Sequence, residues 1–210
     1  MLVTGSSGFL GRHLVRGPAT ADWELIAPNS RTMDITDRET TIDTIREWKP
    51  NVVVHLAYRK GDRRVIVDGT RHVVEGAQAA GARLVHMSTD VVFGGRPQPY
   101  TEADPAIPII EYGQHKLDAE RAVSAGHADA VILRTSLLYG TDHLSDFQRD
   151  LGRALRADTS PMTFFTDEVR CPAHADDVAA AISMVAADRS IRGLLHVAGP
   201  DPLSRLDFAR

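Results

Sequence analysis

The chain has 210 residues, of which 43% are apolar and 25% charged, with a formal net charge of −4. This length supports one domain with a full core, and the composition excludes disordered, fibrous and collagen-like chains. Basic residues are dispersed, which argues against a nucleic-acid surface. The densest group, Arg59-Lys60 with Arg63-Arg64, is a local anion site at most or a solvated loop.

Short apolar runs alternate with helical stretches along the whole chain. Leu2 to Thr4 is the first expected strand, followed by the glycine pattern Gly5-Ser6-Ser7-Gly8-Phe9-Leu10-Gly11 and a helix over Phe9 to Arg16. Further strands are expected at Glu24–Ala27, Asn51–Ala57, Ala82–Ser88, Ala130–Thr135, Thr163–Phe165 and Leu194–Val197. Helices are expected at Arg38–Trp48, Val65–Ala80, Glu111–Ser124, Ser145–Ala157 and His174–Asp188, the last with Asp176 and Asp177 in its first turn. Runs such as Val52-Val53-Val54 lack polar alternation, as strands covered on both faces do. The βαβ order predicts an α/β fold with a doubly wound parallel sheet, a single nucleotide-binding domain over 1–210. Substrate-side elements are expected mainly from 91–111 and 137–175. The first of these spans most of a proline-rich stretch, Arg96 to Pro108, leaving a strand end where such folds bind ligands.

The glycine pattern follows a strand and opens a helix, which is the context that makes it informative. Gly5 permits the tight turn, Gly8 allows backbone to approach a pyrophosphate, and Gly11 lets the helix pack on the strand. Ser7, Phe9 and Leu10 belong to the same cradle. At the second strand end, Ala27-Pro28-Asn29-Ser30-Arg31, the acid that would hold a ribose diol is missing. Arg31 and Arg12 suit a 2′-phosphate instead, which favours NADP, while Asp34 is close enough to serve as the acid for NAD.

Tyr112 and Lys116 stand four residues apart, so a helix stacks the phenol and the ammonium on one face. The cation is expected to lower the phenol from its usual value of about 10 and make it a proton donor near neutrality. His115, between them, projects off that face.

Cys171 is the sole cysteine, so no internal disulfide forms, and with only His174 near it in sequence it is expected to be a packed residue and not a nucleophile. No run approaches the roughly 18 apolar residues of a membrane span, and the N-terminus has no basic-then-apolar pattern. A cytoplasmic location without a membrane partner is expected. The nine histidines show no paired ligand spacing, so no metal is expected.

With the glycine pattern, Tyr112 and Lys116, the stretch Ser88-Thr89-Asp90-Val91-Val92-Phe93-Gly94-Gly95 resembles the extended short-chain dehydrogenase/reductase family, within the NAD-dependent epimerase/dehydratase superfamily. The branch of dTDP-4-dehydrorhamnose reductases is the most similar. Asp167-Glu168-Val169-Arg170-Cys171-Pro172 and Asp177-Val178-Ala179 resemble that branch's later elements. The resemblance implies NAD(P)H-dependent reduction of a keto group, usually on a nucleotide-linked sugar. It implies Thr89 on the reacting oxygen, Tyr112 as general acid, and Lys116 on the nicotinamide ribose. Leu56, Ala57 and Tyr58 would line the cofactor, Leu137 and Leu138 its nicotinamide side, and Asp90, Val91 and Arg170 the substrate, Arg170 through a diphosphate. A homodimer is also implied. Where the family has Asn-Val-x-Gly-Thr this chain reads Ile66-Val67-Asp68-Gly69-Thr70, and a leucine replaces the reductases' aromatic after the Arg134 strand. Relatives are expected to continue past Arg210, leaving a reduced C-terminal substrate-binding part here.

Two other functions fit the same motifs. One is a nucleotide-sugar epimerase or dehydratase of the same family, although Val91 stands where dehydratases carry a second acid. The other is a non-catalytic, NADP-binding regulatory protein.

Overall fold

The structure, a computed structural model, describes residues 1–156 and 162–210. Five parallel strands form the main sheet in the order β1 (Leu2–Thr4), β2 (Val52–His55), β3 (Arg83–Thr89), β4 (Val131–Thr135) and β8 (Gly193–Val197). The mixed α/β class with a central parallel sheet is therefore as expected. Helices α1 (Phe9–Arg16) and α6 (Ala175–Ala187) cover one face; α2 (Arg38–Trp48), α3 (Gly69–Ala79) and α4 (Glu111–Gly126) cover the other. Between β4 and β8 the chain forms β5 (Leu138–Tyr139), α5 (Asp146–Leu155), β6 (Val169–Arg170) and β7 (Ala173–His174). It ends on β9 (Leu203–Ser204) and α7 (Arg205–Ala209). Strands β5 and β7 pair in parallel, and β6 pairs antiparallel with β9.

Hydrophobic burial divides by strand parity. Val3, Val52, Val54, Val85, Val131 and Leu133 pack on Leu10 and Leu14 of α1 and Val178 and Ile182 of α6. Leu2, Val53, Leu84 and Ile132 face Ile45, Val73, Val74 and Val123 on the other side. Alternate residues of one strand point to opposite faces, so strands buried on both sides show no polar alternation in sequence.

Three expected boundaries are corrected, and a fourth lies outside the described residues. Glu24–Ala27 contributes a single bridge, Ile26 to Leu2, because Val3 N donates to Ile26 O and Ile26 N to Met1 O but the pairing goes no further. Thr163–Phe165 pairs with no strand among the described residues, and Phe165 is exposed. The helix expected over Val65–Ala80 opens with a wide turn at Arg64–Asp68 before α3 begins. Helix α5 ends at Leu155, capped by Ser145 and Gln148 in a reciprocal capping box, and the expected end at Ala157 lies outside the described residues.

One long-range link ties the halves together. His13 of α1 is buried and its Nδ1 lies 2.7 Å from Asp176 Oδ1 in the first turn of α6.

Candidate active site

The turn after β1 is shaped for an anion. Gly5 sits at φ +69°, and a Cβ there would lie 2.6 Å from the Ala57 backbone nitrogen. Only glycine meets both demands. A Cβ at Gly11 would collide with the Gly5 carbonyl oxygen, so α1 could not close onto the turn. Gly8 N donates to Gly5 O at 3.0 Å and Gly8 is the N-cap of α1. No side chain among the described residues caps that end, and its first turn holds no acid. The free N–H groups and the positive end of the helix dipole thus suit a pyrophosphate, and the turn fits a dinucleotide. Ser7 and Gly8 are exposed at its mouth, Phe9 is half-buried and Leu10 is buried beneath it.

Around the cradle, Ala57 N donates to Thr4 Oγ1 at 3.2 Å and Leu56 N to Thr4 O at 3.3 Å, which holds the β2 end against the turn. Tyr58, 60% exposed, extends this wall, its ring 6.2 Å from that of Tyr112. Of the rim residues, Arg12 donates from Nε to Ser7 O at 2.8 Å. Arg31 is exposed, and its backbone N–H is fixed by Asn29 Oδ1 at 2.9 Å. Asp34 is occupied: its Oδ1 accepts from Thr36 N at 2.9 Å and Thr36 Oγ1 at 2.8 Å. This leaves Arg31 freer than Asp34 to meet a ligand.

Helix α4 brings Tyr112 and Lys116 over the ends of β3 and β4. Tyr112 packs against Ile66, Val67 and Ala119, so the position where relatives of the sequence pattern carry asparagine is part of a hydrocarbon floor. Lys116 is buried and its Nζ donates to Met87 O at 2.6 Å. Burial pushes its ammonium down to about 8, partly offset by Glu120. The expected acidification of the phenol is not found. Burial, with Tyr58 and Asp90 nearby, pushes Tyr112 above its usual value, and Arg170 pulls weakly the other way. The physical reason is that desolvation of the buried phenol is the largest cause, and Lys116, whose Nζ is bonded to Met87 O, is not among the groups that shift it.

Thr89 closes β3 as the N-cap of the turn over Asp90–Val92, its Oγ1 accepting from Val91 N at 3.3 Å. Asp90, its neighbour, is held by Arg170: Arg170 Nε donates to Asp90 Oδ2 at 2.7 Å and Nη2 to Oδ1. Arg170 also donates to Glu168 Oε1 at 3.3 Å. Two residues expected to bind substrate independently are therefore bound to each other, and Val91 is half-buried beside them. Leu138 packs on the α1 side of the core, while Leu137 O accepts from Ala173 N at 2.8 Å. Cys171 is half-buried, and burial beside Asp90 raises its thiol, which agrees with a packed residue. His115 is buried and 3.7 Å from Glu111 Oε1.

A buried polar layer under α4 was not anticipated. Glu120 receives two bonds from Arg134, Nε at 2.9 Å and Nη2 at 2.7 Å, and one from Ser88 Oγ at 2.5 Å. His55 and His86 lie in the same layer. A signal for it exists in the sequence: single polar residues interrupt Val-Val-Val-His, Leu-Val-His-Met and Ile-Leu-Arg-Thr near the ends of three strands.

The chain is similar to known proteins along its whole length. The dTDP-4-dehydrorhamnose reductase of Sinorhizobium fredii is 32% identical over 228 residues, covering all of this chain and 76% of that protein. Methionine adenosyltransferase 2 subunit beta of Rattus norvegicus is 28% identical over 244 residues, covering all of this chain and 70% of that protein. The crystal structure of dTDP-4-dehydrorhamnose reductase from Bacillus anthracis in complex with NADP superposes with a TM-score of 0.89 at 29% identity, over 99% of this chain and 77% of that one. The expected oxidoreductase class and the preferred cofactor, NADP, are in keeping with these relatives. Residues 1–210 match the RmlD substrate binding domain throughout, and the chain belongs to that family.

Proposed function

We propose that the protein is an NADPH-dependent reductase of a keto group on a nucleotide-linked sugar, with Tyr112 as the proton donor. The observation that carries this reading is the meeting of three elements at one end of the parallel sheet. The glycine turn lies against Ala57, the ring of the next residue, Tyr58, is 6.2 Å from that of Tyr112, and Lys116 on the same helix is bonded to Met87 O in β3, the strand that Thr89 ends. Gly5, Ser7, Gly8, Phe9 and Leu10 would hold the pyrophosphate, Arg31 the 2′-phosphate, and Leu56, Ala57 and Tyr58 the adenosine and ribose side. The bound dinucleotide supplies hydride to the carbonyl carbon.

The remaining chemistry belongs to the chain. A phenol kept protonated by burial is a donor held in reserve at neutral pH, and it yields its proton only when negative charge develops on the carbonyl oxygen. Thr89 Oγ1 offers a second hydrogen bond to that oxygen. Lys116, released from Met87 O, would reach the ribose hydroxyls and lower the cost of the phenolate left behind. Substrate then displaces or bridges the Asp90–Arg170 pair, where the guanidinium suits a diphosphate.

The test is loss of reduced-nicotinamide absorbance with a panel of nucleotide-linked keto sugars. Tyr112→Phe is expected to lower turnover by about a thousandfold with NADPH affinity unchanged. Tight NADPH binding with no turnover of any keto sugar overturns the reductase reading in favour of a regulatory one. The likeness to a methionine adenosyltransferase subunit is the observation that favours that second reading.

A further inference from the structure

Beneath Lys116 lies a pair of imidazoles that the reaction outlined above does not use. His55 on β2 and His86 on β3 are register partners, with ring centroids 5.3 Å apart. His55 is 2% exposed and His86 1%. His55 is satisfied at both nitrogens, Nδ1 by Thr4 Oγ1 at 2.7 Å and Nε2 by Thr70 Oγ1 at 3.0 Å. Thr70 Oγ1 in turn donates to Ile66 O at 2.6 Å. His86 differs: neither of its ring nitrogens has a hydrogen-bond partner among the described residues. A buried imidazole left unpaired on both sides is a cost that native folds avoid unless the group is used.

The neighbour that can use it is Lys116. The residue after His86 is Met87, whose carbonyl takes the Lys116 Nζ bond at 2.6 Å. Two of the three ammonium N–H groups then have no partner among the described residues. The other charged groups in the layer are already committed. Glu120, one turn along α4, is neutralised by Arg134 of β4 and bonded by Ser88 of β3. Tyr112, one turn back on α4, faces Asp90 and Arg170. From β2 comes only His55, and from α3 the Thr70 hydroxyl, among the described residues.

We propose that His86 is a positioning residue for Lys116: its neutral ring accepts a hydrogen bond from the ammonium through one bridging water and keeps the lysine charged and aimed at the nucleotide site. His55, clamped by Thr4 and Thr70, is the wall that sets the orientation of the His86 ring. The electrostatics agree with this pairing. Burial and the Lys116 charge push His55 down to about 3 and His86 well below its usual value, which favours the neutral form of both rings beside a charged Lys116 near pH 7. The inference rests on the reductase reading for its use, since an uncharged Lys116 would not stabilise a phenolate.

The chain has three lysines, Lys49, Lys60 and Lys116, so a protein labelled with ¹³C at lysine Cε gives three side-chain signals, and Lys116→Met identifies the third. In His86→Leu, the midpoint of the Lys116 titration is expected to fall by about one pH unit, the scale of a lost bond to a charged group. His86→Gln, which offers an amide oxygen, is expected to recover at least half of that. Equal midpoints in wild type and His86→Leu overturn the proposal. Should His86→Leu fail to fold, ¹⁵N-histidine spectra serve instead: Lys116→Met is expected to shift a ring nitrogen of His86, and unmoved nitrogens overturn the proposal. The titrations need neither cofactor nor substrate. Their failure removes the role of His86 alone, whereas a normal titration in an inert enzyme removes the reductase reading alone.

Discussion

The face of the sheet under α1 and α6 is hydrocarbon from Val52 to Leu133, whereas under α3 and α4 the same strands end in Thr4, His55, His86, Ser88 and Arg134. One face fills space mostly with methyl groups, and its buried polar side chains are few, Arg83 on the carbonyls of Val185, Asp188 and Ile191 and His13 beside Asp176. The other buries donors, acceptors and charges, and each of these has to find a partner at a defined angle. The comparison teaches where this fold keeps its stability and where it spends it: the polar layer lies against the helix that carries Tyr112 and Lys116.

The contrast is open to attack, starting with its largest expected effect. Arg134→Met leaves Glu120 charged and buried with only Ser88, and is expected to cost about 4 kcal/mol, read by urea unfolding. A cost under 1 kcal/mol would show the pair to be replaceable. On the other face, Ile182→Ala removes a fully buried side chain and is expected to cost about 3 kcal/mol while leaving the NADPH affinity of the folded protein unchanged.

Lys116→Met sharpens the contrast by moving in the opposite direction. Its ammonium is disfavoured in the fold, so between about 8 and the usual 10.5 the unfolded chain holds a proton that the native state lacks, and stability rises with pH across that window. Replacing the lysine is therefore expected to stabilise the protein by up to about 3 kcal/mol at pH 7, with the gain fading above pH 8 and gone near pH 10.5. Melting temperatures measured across that range decide it. The smallest effect lies on the rim. Arg31→Ala touches neither face and is expected to change stability by less than about 0.5 kcal/mol, yet to weaken NADPH roughly tenfold while sparing NADH. Equal weakening of both dinucleotides would remove the 2′-phosphate assignment.

Much of this molecule is legible in its sequence. Helices α1 and α2 have the residue limits that their patterns imply, because Gly17 and Lys49 follow them with backbone that cannot continue the helix. The glycine turn is equally plain, since Gly5 and Gly11 answer local contacts. Legibility fails where the cause is distant. The strand expected at Glu24–Ala27 shrinks to one bridge, Ile26 to Leu2, since how far a run pairs depends on its partner strand and not on its own residues. The effect of Lys116 on Tyr112 follows from helix spacing only if the phenol stays in water, and the tertiary fold buries it. Likewise, nothing local ties Asp90 to Arg170, 80 residues on. His55 and His86 mark a polar layer once both are known to be strand residues in register, which periodicity alone does not supply.

The contact between His13 and Asp176 bridges 163 positions and joins the helix behind the nucleotide turn to the last third of the chain. Fragments ending ahead of Asp176 would keep every glycine of the turn but lose both that carboxylate and the helix that covers the same face as α1. The sequence signature for binding a dinucleotide is thus confined to the first dozen residues, while the mechanical support for it is not. A nick introduced between the two by limited proteolysis should loosen the grip on the dinucleotide even with both pieces present.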